Sequence, residues 1–222
     1  MSDGVVAGNG YLEVVHYPVN AGRTWDQVQL LEAARKSKCR NTGWPIGVVL
    51  SSPDKAPKPV HDGIHASIRG ESDFDDWSLE KHGAFHFVRR YEEDSEWSGV
   101  KNALFFNTRI WRVAEVFLHC AKLYQALDVS LTTEISIEVA HHGLKGRDLS
   151  SSGPIQALMM SGRKCKTDSC TWKNTVQLGL IEPNLESLIK DALGELFILF
   201  EFWQPEEKVW KQVLNEFLTS RI

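Results

Sequence analysis

The segment His141-His142-Gly143-Leu144-Lys145-Gly146-Arg147 combines imidazoles, glycines and bases directly after a predicted strand. Its glycines allow backbone N–H groups to converge on an anion, and Lys145 and Arg147 add positive charge. The spacing differs from that of a Walker phosphate loop. The alternative is a tight turn with two solvated bases. We predict ligand contacts from His141, His142, Lys145 and Arg147.

A second candidate anion site lies where a long helix is predicted to begin. Asn107 and Thr108 can cap that helix, because their side-chain oxygens accept from unpaired N–H groups of the first turn. The positive end of a helix favours anions, and Arg109 would reinforce this. Arg109 could equally pair with an internal carboxylate. Thr108 and Arg109 therefore join the predicted ligand contacts.

A basic segment near the C-terminal third mixes cations with an aromatic side chain, as single-strand binders do. Its members are Arg163, Lys164, Lys166, Trp172 and Lys173. The whole chain has a formal net charge of -4, so no overall basic field attracts nucleic acid. Nucleic acid is thus not the expected partner, and this segment supports only an alternative function.

Two cysteine and histidine combinations fail on geometry. Cys165 and Cys170 lack the close spacing of a zinc knuckle, and adjacent His141 and His142 would point apart along an extended chain. Cys120 follows its neighbouring histidine on a helix, where successive side chains diverge by about 100°. We expect no metal centre and no cysteine nucleophile.

An acidic stretch raises metal-dependent nucleic-acid processing. Such sites need carboxylates that converge from separate elements. The chain offers Asp73, Asp75 and Asp76 with Glu80 and Lys81, and the last two face opposite ways on a strand. We predict a solvated acidic turn, no catalytic residue and no cofactor.

These candidate sites must be positioned by a mixed set of elements. Phe105 to Tyr124 has apolar residues at helical spacing, and we predict a long, mostly buried helix. Its polar line, predicted as the side least buried, consists of Arg112, Glu115, His119 and Lys122. Thr24-Trp25-Asp26-Gln27 matches a capping box with Thr24 at the cap of an earlier helix, which runs to about Lys38.

Strands are predicted from alternation and from short apolar runs. They cover Tyr11–Tyr17, Ile46–Leu50, Gly63–Arg69, Trp77–Leu79, Ala84–Val88, Leu131–Ala140 and Cys170–Leu178. Helical spacing returns after Pro183 and ends in an amphipathic helix from Val209. We therefore predict the α+β class, with an antiparallel or mixed sheet packed on a long central helix and C-terminal helices. One domain spans 1–222, with a C-terminal helical subregion at 183–222.

Four segments resemble the C-terminal region of bacterial proteins that carry a Schlafen-type AlbA-like DNA-binding domain upstream. They are Asn107–Glu115, Leu123–Leu127, His141–Arg147 and Leu196–Trp203, and the similarity runs from about Trp44 to the C-terminus. The chain starts at Met1 without room for the upstream domain, so DNA binding is not expected to carry over. The resemblance implies an accessory module that senses a ligand or engages a partner, in a bacterial regulatory or defence system.

Composition limits the possible location and function of the protein. No run reaches the roughly 18 apolar residues that span a bilayer, and the start lacks a signal peptide, which predicts a cytoplasmic location. Four cysteines suit a reducing compartment. Apolar C-terminal helices suggest a homodimer. The leading prediction is a non-catalytic module for a protein partner or a small anionic ligand. The alternative is a nucleic-acid-binding or metal-dependent nucleic-acid-processing protein.

Overall fold

The computed structural model describes residues 10–39, 41, 44–70, 74–95, 100, 102–152 and 162–219. A seven-stranded antiparallel sheet in the order β2-β3-β4-β5-β1-β7-β9 organises them, beside a small parallel pair of β6 and β8. The strands are β1 Tyr11–Pro18, β2 Lys58–Val60, β3 Gly63–Arg69, β4 Phe74–Glu80, β5 Phe85–Arg90, β6 Ala103–Phe105, β7 Glu134–His142, β8 Asp148–Ser150 and β9 Ser169–Gln177. The helices are α1 Gln27–Lys36, α2 Phe106–Ala126, α3 Leu178–Ile181, α4 Leu185–Ile198 and α5 Glu207–Thr219. The predicted α+β class is confirmed.

The two faces of the sheet differ in chemistry. Along β1, Leu12 and Val14 are buried in the core, whereas the alternate residues Tyr11, Glu13 and Val15 are only half-buried. Such alternation marks a sheet with one face on the core and one face toward water. The inward side chains share one apolar core with all the helices. We call the opposite side the outer face.

Helix α2 packs against α1, α4 and α5 as well as the sheet. Its predicted start is wrong in detail, because Phe105 occupies the cap position without a side-chain cap bond. Asn107 and Thr108 instead lie in the first turn, and both approach Ser152, with Asn107 Nδ2 donating to its carbonyl oxygen at 3.0 Å. The first turn is therefore tied to the chain just after β8.

The polar line of α2 is buried, which contradicts the prediction for Arg112, Glu115 and His119. Arg112 and Glu115 can be buried because their charges are paired, whereas His119 is buried as a neutral ring. Arg112 Nη1 donates to Glu115 at 2.8 Å and to the carbonyl of Trp44 at 3.1 Å. The chain after Trp44 thus covers this side of the helix.

The predicted strand Ile46–Leu50 is not a strand. Ile46 and Val48 are buried in irregular chain, and Val49 and Leu50 are half-buried. The Trp77 indole donates to the carbonyl of Val48 at 3.1 Å. A short apolar run cannot by its periodicity distinguish a strand from another buried segment. Here the backbone polar groups find side-chain partners instead of a neighbouring strand.

Helix α1 begins later than predicted. Asp26 is the cap, and its carboxylate accepts from the backbone N–H groups of Val28 and Gln29, each at 2.9 Å. The Gln29 side chain in turn accepts from the Asp26 N–H at 3.0 Å. The capping box is real, but it starts at Asp26 and not at Thr24.

The acidic stretch and the two adjacent histidines lie in strands and not in the turn and loop that were predicted. Asp75 is buried in β4 rather than in a solvated turn, and Asp76 and Glu80 belong to the same strand, whereas Asp73 lies outside the described residues. Strand β7 continues through His142, so His141 and His142 are strand residues and not loop residues. Both errors arise because paired strands supply partners that a local pattern cannot reveal.

Candidate functional site

A buried ion-pair cluster lies under the 3₁₀ turn Glu92–Asp94, which connects β5 to β6. The Arg109 side chain is 1% exposed, and its Nη2 lies 3.0 Å from both Glu92 Oε2 and Glu93 Oε2. Glu93 also accepts from the backbone N–H of Phe105 at 2.8 Å. The turn and the start of α2 are thereby joined, and the alternative stated for Arg109, an internal ion pair, is what the structure shows.

Neighbouring arginines extend the cluster. Arg112 pairs with both Glu92 and Glu115. Although burial opposes it, Arg112 and Arg109 lower the pKa of Glu92 to about 2. Burial raises the pKa of Glu93 in spite of Arg109. The guanidinium groups of the cluster are therefore paired with carboxylates and are not exposed to solvent.

Tyr91 lies between two guanidinium groups. Its ring centroid is 4.4 Å from Cζ of Arg109 and 5.1 Å from Cζ of Arg147, within cation–π range. The phenol oxygen is 3.1 Å from His141 Nδ1. Arg147 donates to both oxygens of Asp94, at 2.8 and 2.6 Å. Arg109, His141 and Arg147 thus meet around Tyr91 inside the fold.

The predicted anion-binding residues therefore lie in different parts of the fold. Arg109, His141 and Arg147 are brought together but are buried, and both arginines are neutralised by carboxylates. Thr108 is buried in the first turn of α2, and Lys145 is exposed in the turn after β7. His142 lies on the outer face, because it is the register partner of Tyr11. These residues do not form one shared surface.

The outer face carries a group that sequence reasoning missed. Glu13 on β1 lies between His86 on β5 and His142 on β7, with Oε1 2.8 Å from His86 Nε2 and Oε2 3.3 Å from His142 Nε2. The neighbouring imidazoles of His142 and His86 lower the pKa of Glu13 to about 2, so its charge persists. The side chain of His86 remains 41% exposed and that of Glu13 34% exposed. We call Glu13, His86 and His142 the sheet-face cluster.

A second carboxylate–imidazole pair lies two strands away on the same face. His65 Nε2 is 3.1 Å from Asp76 Oδ1. Ser78 is the register partner of both His65 and His86. Its strand is hydrogen-bonded on both sides, so the local N–H groups are used in the sheet and are not free to stabilise an oxyanion. This arrangement positions imidazoles but does not complete a hydrolase site.

A separate polar cluster in the core contains His16 and His119, whose ring centroids are 5.7 Å apart. His16 Nδ1 is 2.7 Å from the Tyr124 hydroxyl. His16 Nε2 and both ring nitrogens of His119 are buried without a hydrogen-bond partner in the described part of the chain. Desolvation lowers the pKa of His119 to about 3 and that of His16 well below its usual range. Both imidazoles are therefore neutral at physiological pH.

The basic residues of the alternative nucleic-acid segment already have partners. Lys166 lies 2.9 Å from Glu201, Lys164 lies 4.0 Å from Asp148, and Lys173 lies 3.4 Å from Glu138. Arg163 lies over the ring of Phe202 and donates to the Glu201 carbonyl. Trp172, the aromatic member, is buried with its indole N–H 2.8 Å from Asp191. The ring is thus unavailable for stacking on a base.

No metal centre is found in the described ranges, where no three His, Cys, Asp or Glu side chains are arranged to hold an ion. Cys165 and Cys170 are free thiols, and burial raises the pKa of both, that of Cys170 to about 11. Such thiols are weak nucleophiles and weak metal ligands at neutral pH.

The sequence matches no family model, and it has no match among curated proteins or solved structures. None of the helices in the described ranges combines the length and apolar character needed to cross a membrane.

Proposed function

We propose that this chain is a non-catalytic binding module and that the outer face of its sheet takes a small anionic ligand. The observation that carries the proposal is the sheet-face cluster, in which one carboxylate orients two part-exposed imidazoles on adjacent strands. A histidine held by a carboxylate has a fixed ring orientation. The side chains of His86 and His142 remain 41% and 26% exposed, so part of each ring is accessible to a ligand.

The burial of the arginine side chains elsewhere favours the outer face as the binding site. The guanidinium groups of Arg89, Arg109 and Arg147 are each paired with carboxylates inside the fold. Opening one of these pairs for a ligand would leave a buried charge without a partner, which is costly. The part-exposed imidazoles can be engaged without unfolding any element.

The same features support binding without catalysis. A general acid or base needs a reacting group and an electrostatic stabiliser nearby. The sheet-face cluster has titratable groups, yet the backbone N–H groups of β1 are used by β5 on one side and β7 on the other. These N–H groups are therefore not available to stabilise a transition state.

A ligand-observed NMR screen of a fragment library rich in carboxylates and phosphates tests the proposal. Hits should bind the wild type and lose binding in the double variant His86→Gln, His142→Gln.

The matched control removes two exposed imidazoles elsewhere, by His61→Gln and His82→Gln. This control should keep the affinity of the wild type. The proposal is rejected if no fragment binds, or if every hit binds the His86 and His142 double variant as well as it binds the control.

A further inference from the structure

The seven-stranded sheet ends in two edge strands that differ in how well they are protected. Strand β2 has three residues, and its Pro59 has no N–H to offer a further strand. Strand β9 has nine residues and contains neither proline nor glycine. Natural sheets protect their edges with short strands, prolines and charged side chains. Strand β2 is protected in this way, whereas β9 carries a single charged residue, Lys173.

The ladder shows which backbone groups of β9 point away from the sheet. Leu178, the residue after β9, donates its N–H to the carbonyl of Thr133, just before β7, at 2.9 Å. Backbone groups alternate in direction along an antiparallel strand. The even-numbered residues of β9 therefore bond to β7, and the odd-numbered residues direct their N–H and C=O groups away from it. Among them are Thr171, Lys173 and Thr175 in the middle of the strand.

These outward groups are unused by the backbone of the described chain. No strand in the described ranges lies beyond β9, and no turn or loop there bonds to the backbone of Thr171, Lys173 or Thr175. The Thr175 N–H is satisfied only locally, by Oδ1 of its neighbour Asn174 at 2.8 Å. All three outward residues are exposed. Such a row is a template for a further strand, and we call it the β9 edge.

The charge of the β9 edge fits a second copy of the same strand. Its only charged side chain, Lys173, lies 3.4 Å from Glu138 of its own chain, so the charge is balanced without an acidic partner. The threonines at 171 and 175 are β-branched and favour strand pairing. Two antiparallel copies related by a two-fold axis match each outward donor with an acceptor of the other copy.

Like charges and ring burial select the register of such a pair. A two-fold axis at Lys173 would set two ammonium groups directly opposite each other, which destabilises a strand pair. An axis at Trp172 would oppose two rings that are only 8% exposed and have little surface left to bury. An axis at Asn174 instead sets Lys173 opposite Thr175, and Trp172 opposite the half-buried Val176, of the second copy.

We propose that two copies of this chain form a symmetric dimer through their β9 edges, with the two-fold axis at Asn174. The sheet then continues from one copy into the other. The N–H and C=O groups of Lys173 bond to those of Thr175 in the second copy, and the reverse. The contact lies at β9 and not at the C-terminal helices, and it does not use the sheet-face cluster.

Size-exclusion chromatography with light scattering, across a concentration series, tests the dimer. The wild type should have twice the 25.1 kDa mass of one chain. Thr175→Pro should weaken dimerisation about tenfold or more, because the symmetric contact loses two hydrogen bonds while the ladder with β7 is kept. Thr175→Lys should weaken it similarly, because it sets a second ammonium group opposite each Lys173.

Val60→Lys is the matched control, since Val60 is an exposed residue of the other edge strand. It should keep the dimerisation constant within about twofold, because its charge is far from the contact. A single-chain mass at every concentration overturns the proposal. So does a dimer that remains as tight in both Thr175 variants as in Val60→Lys. If Thr175→Pro fails to fold by circular dichroism, Thr175→Lys decides, because it keeps the backbone donor.

Air oxidation of cysteine variants, read on non-reducing gels, tests the register. Asn174→Cys should form an intermolecular disulfide, because opposed residues of a non-hydrogen-bonded pair have Cα atoms about 4.5 Å apart. Lys173→Cys should not, because diagonal neighbours are about 7–8 Å apart. The wild type is the control for the four native thiols. A disulfide through Lys173→Cys and not through Asn174→Cys rejects the axis at Asn174.

Discussion

Glu13 shows how one residue can be recognised as functional only after the strands are paired. Its place in an alternating strand predicts an outward side chain, but its partner His86 lies 73 positions away in the sequence. The local sequence pattern predicts which face of the sheet a side chain lies on, but it does not predict which residue of the neighbouring strand lies beside it. The same limit applied to Arg109, whose internal pairing was an open alternative although Glu92 and Glu93 could not be named as partners.

The lowered pKa of Glu13 has a consequence for stability. A carboxylate with a folded pKa of about 2, against an ordinary value of 4.5, stabilises the fold above pH 4.5 and loses that contribution as the pH falls toward 2. Glu13→Gln should therefore lose less stability than the wild type across this interval. Urea unfolding at several pH values measures the difference. Parallel curves for the two proteins would contradict the account.

The buried His119 predicts acid sensitivity in a different window. Its folded pKa is about 3 and its ordinary value 6.5, so the unfolded chain binds a proton that the native state refuses. Stability should fall as the pH drops from 6.5 toward 3, by about 1.4 kcal/mol per pH unit from this group. His119→Leu should make that slope shallower. The exposed His82→Leu should not, and an unchanged slope in His119→Leu would refute the assignment.

At the scale of elements, the start of α2 depends on charges supplied by the turn before it. Arg109→Met leaves the buried Glu93 without its cation and should destabilise the fold by about 3–5 kcal/mol in chemical denaturation. Lys166→Met removes an ion pair whose side chains are exposed, and it should leave the unfolding midpoint nearly unchanged. Similar losses in the two variants would show that the cluster is not a structural unit.

The first helix offers a direct comparison of the predicted and observed caps. Asp26→Ala removes the acceptor of two backbone N–H groups and should cost about 1 kcal/mol. Thr24→Ala, at the cap expected from sequence, should have a much smaller effect on the unfolding free energy. A larger loss of unfolding free energy in Thr24→Ala than in Asp26→Ala would instead identify Thr24 as the cap.

Strand β1 was predicted well because one of its faces is buried and the other is not. Helix α2 was predicted from the helical spacing of its apolar residues, although nearly its whole circumference is buried. The buried polar line of α2 could not be predicted, because its burial depends on Glu92 and on the chain after Trp44. The sheet-face cluster was missed for the same reason, since cross-strand register decides which imidazole meets Glu13.

At the scale of the whole molecule, β1 joins the two halves of the chain. It pairs with β5 on one side and β7 on the other, so residues from distant parts of the sequence meet on one face. The C-terminal helices share the same core through Phe197 and Trp210. Helices therefore support one side of the sheet, and the outer face is left to display Glu13, His86 and Tyr11.

The proposed function requires that ligands bind on that outer face. Protein-observed NMR with the bound fragments tests this through chemical-shift changes of assigned backbone amides. The changes should cluster at Tyr11, Glu13, His86 and His142, and they should disappear in the His86→Gln, His142→Gln variant. Shifts that map instead to the exposed surface of α1 at Val28, or to the region around Trp203, would contradict it.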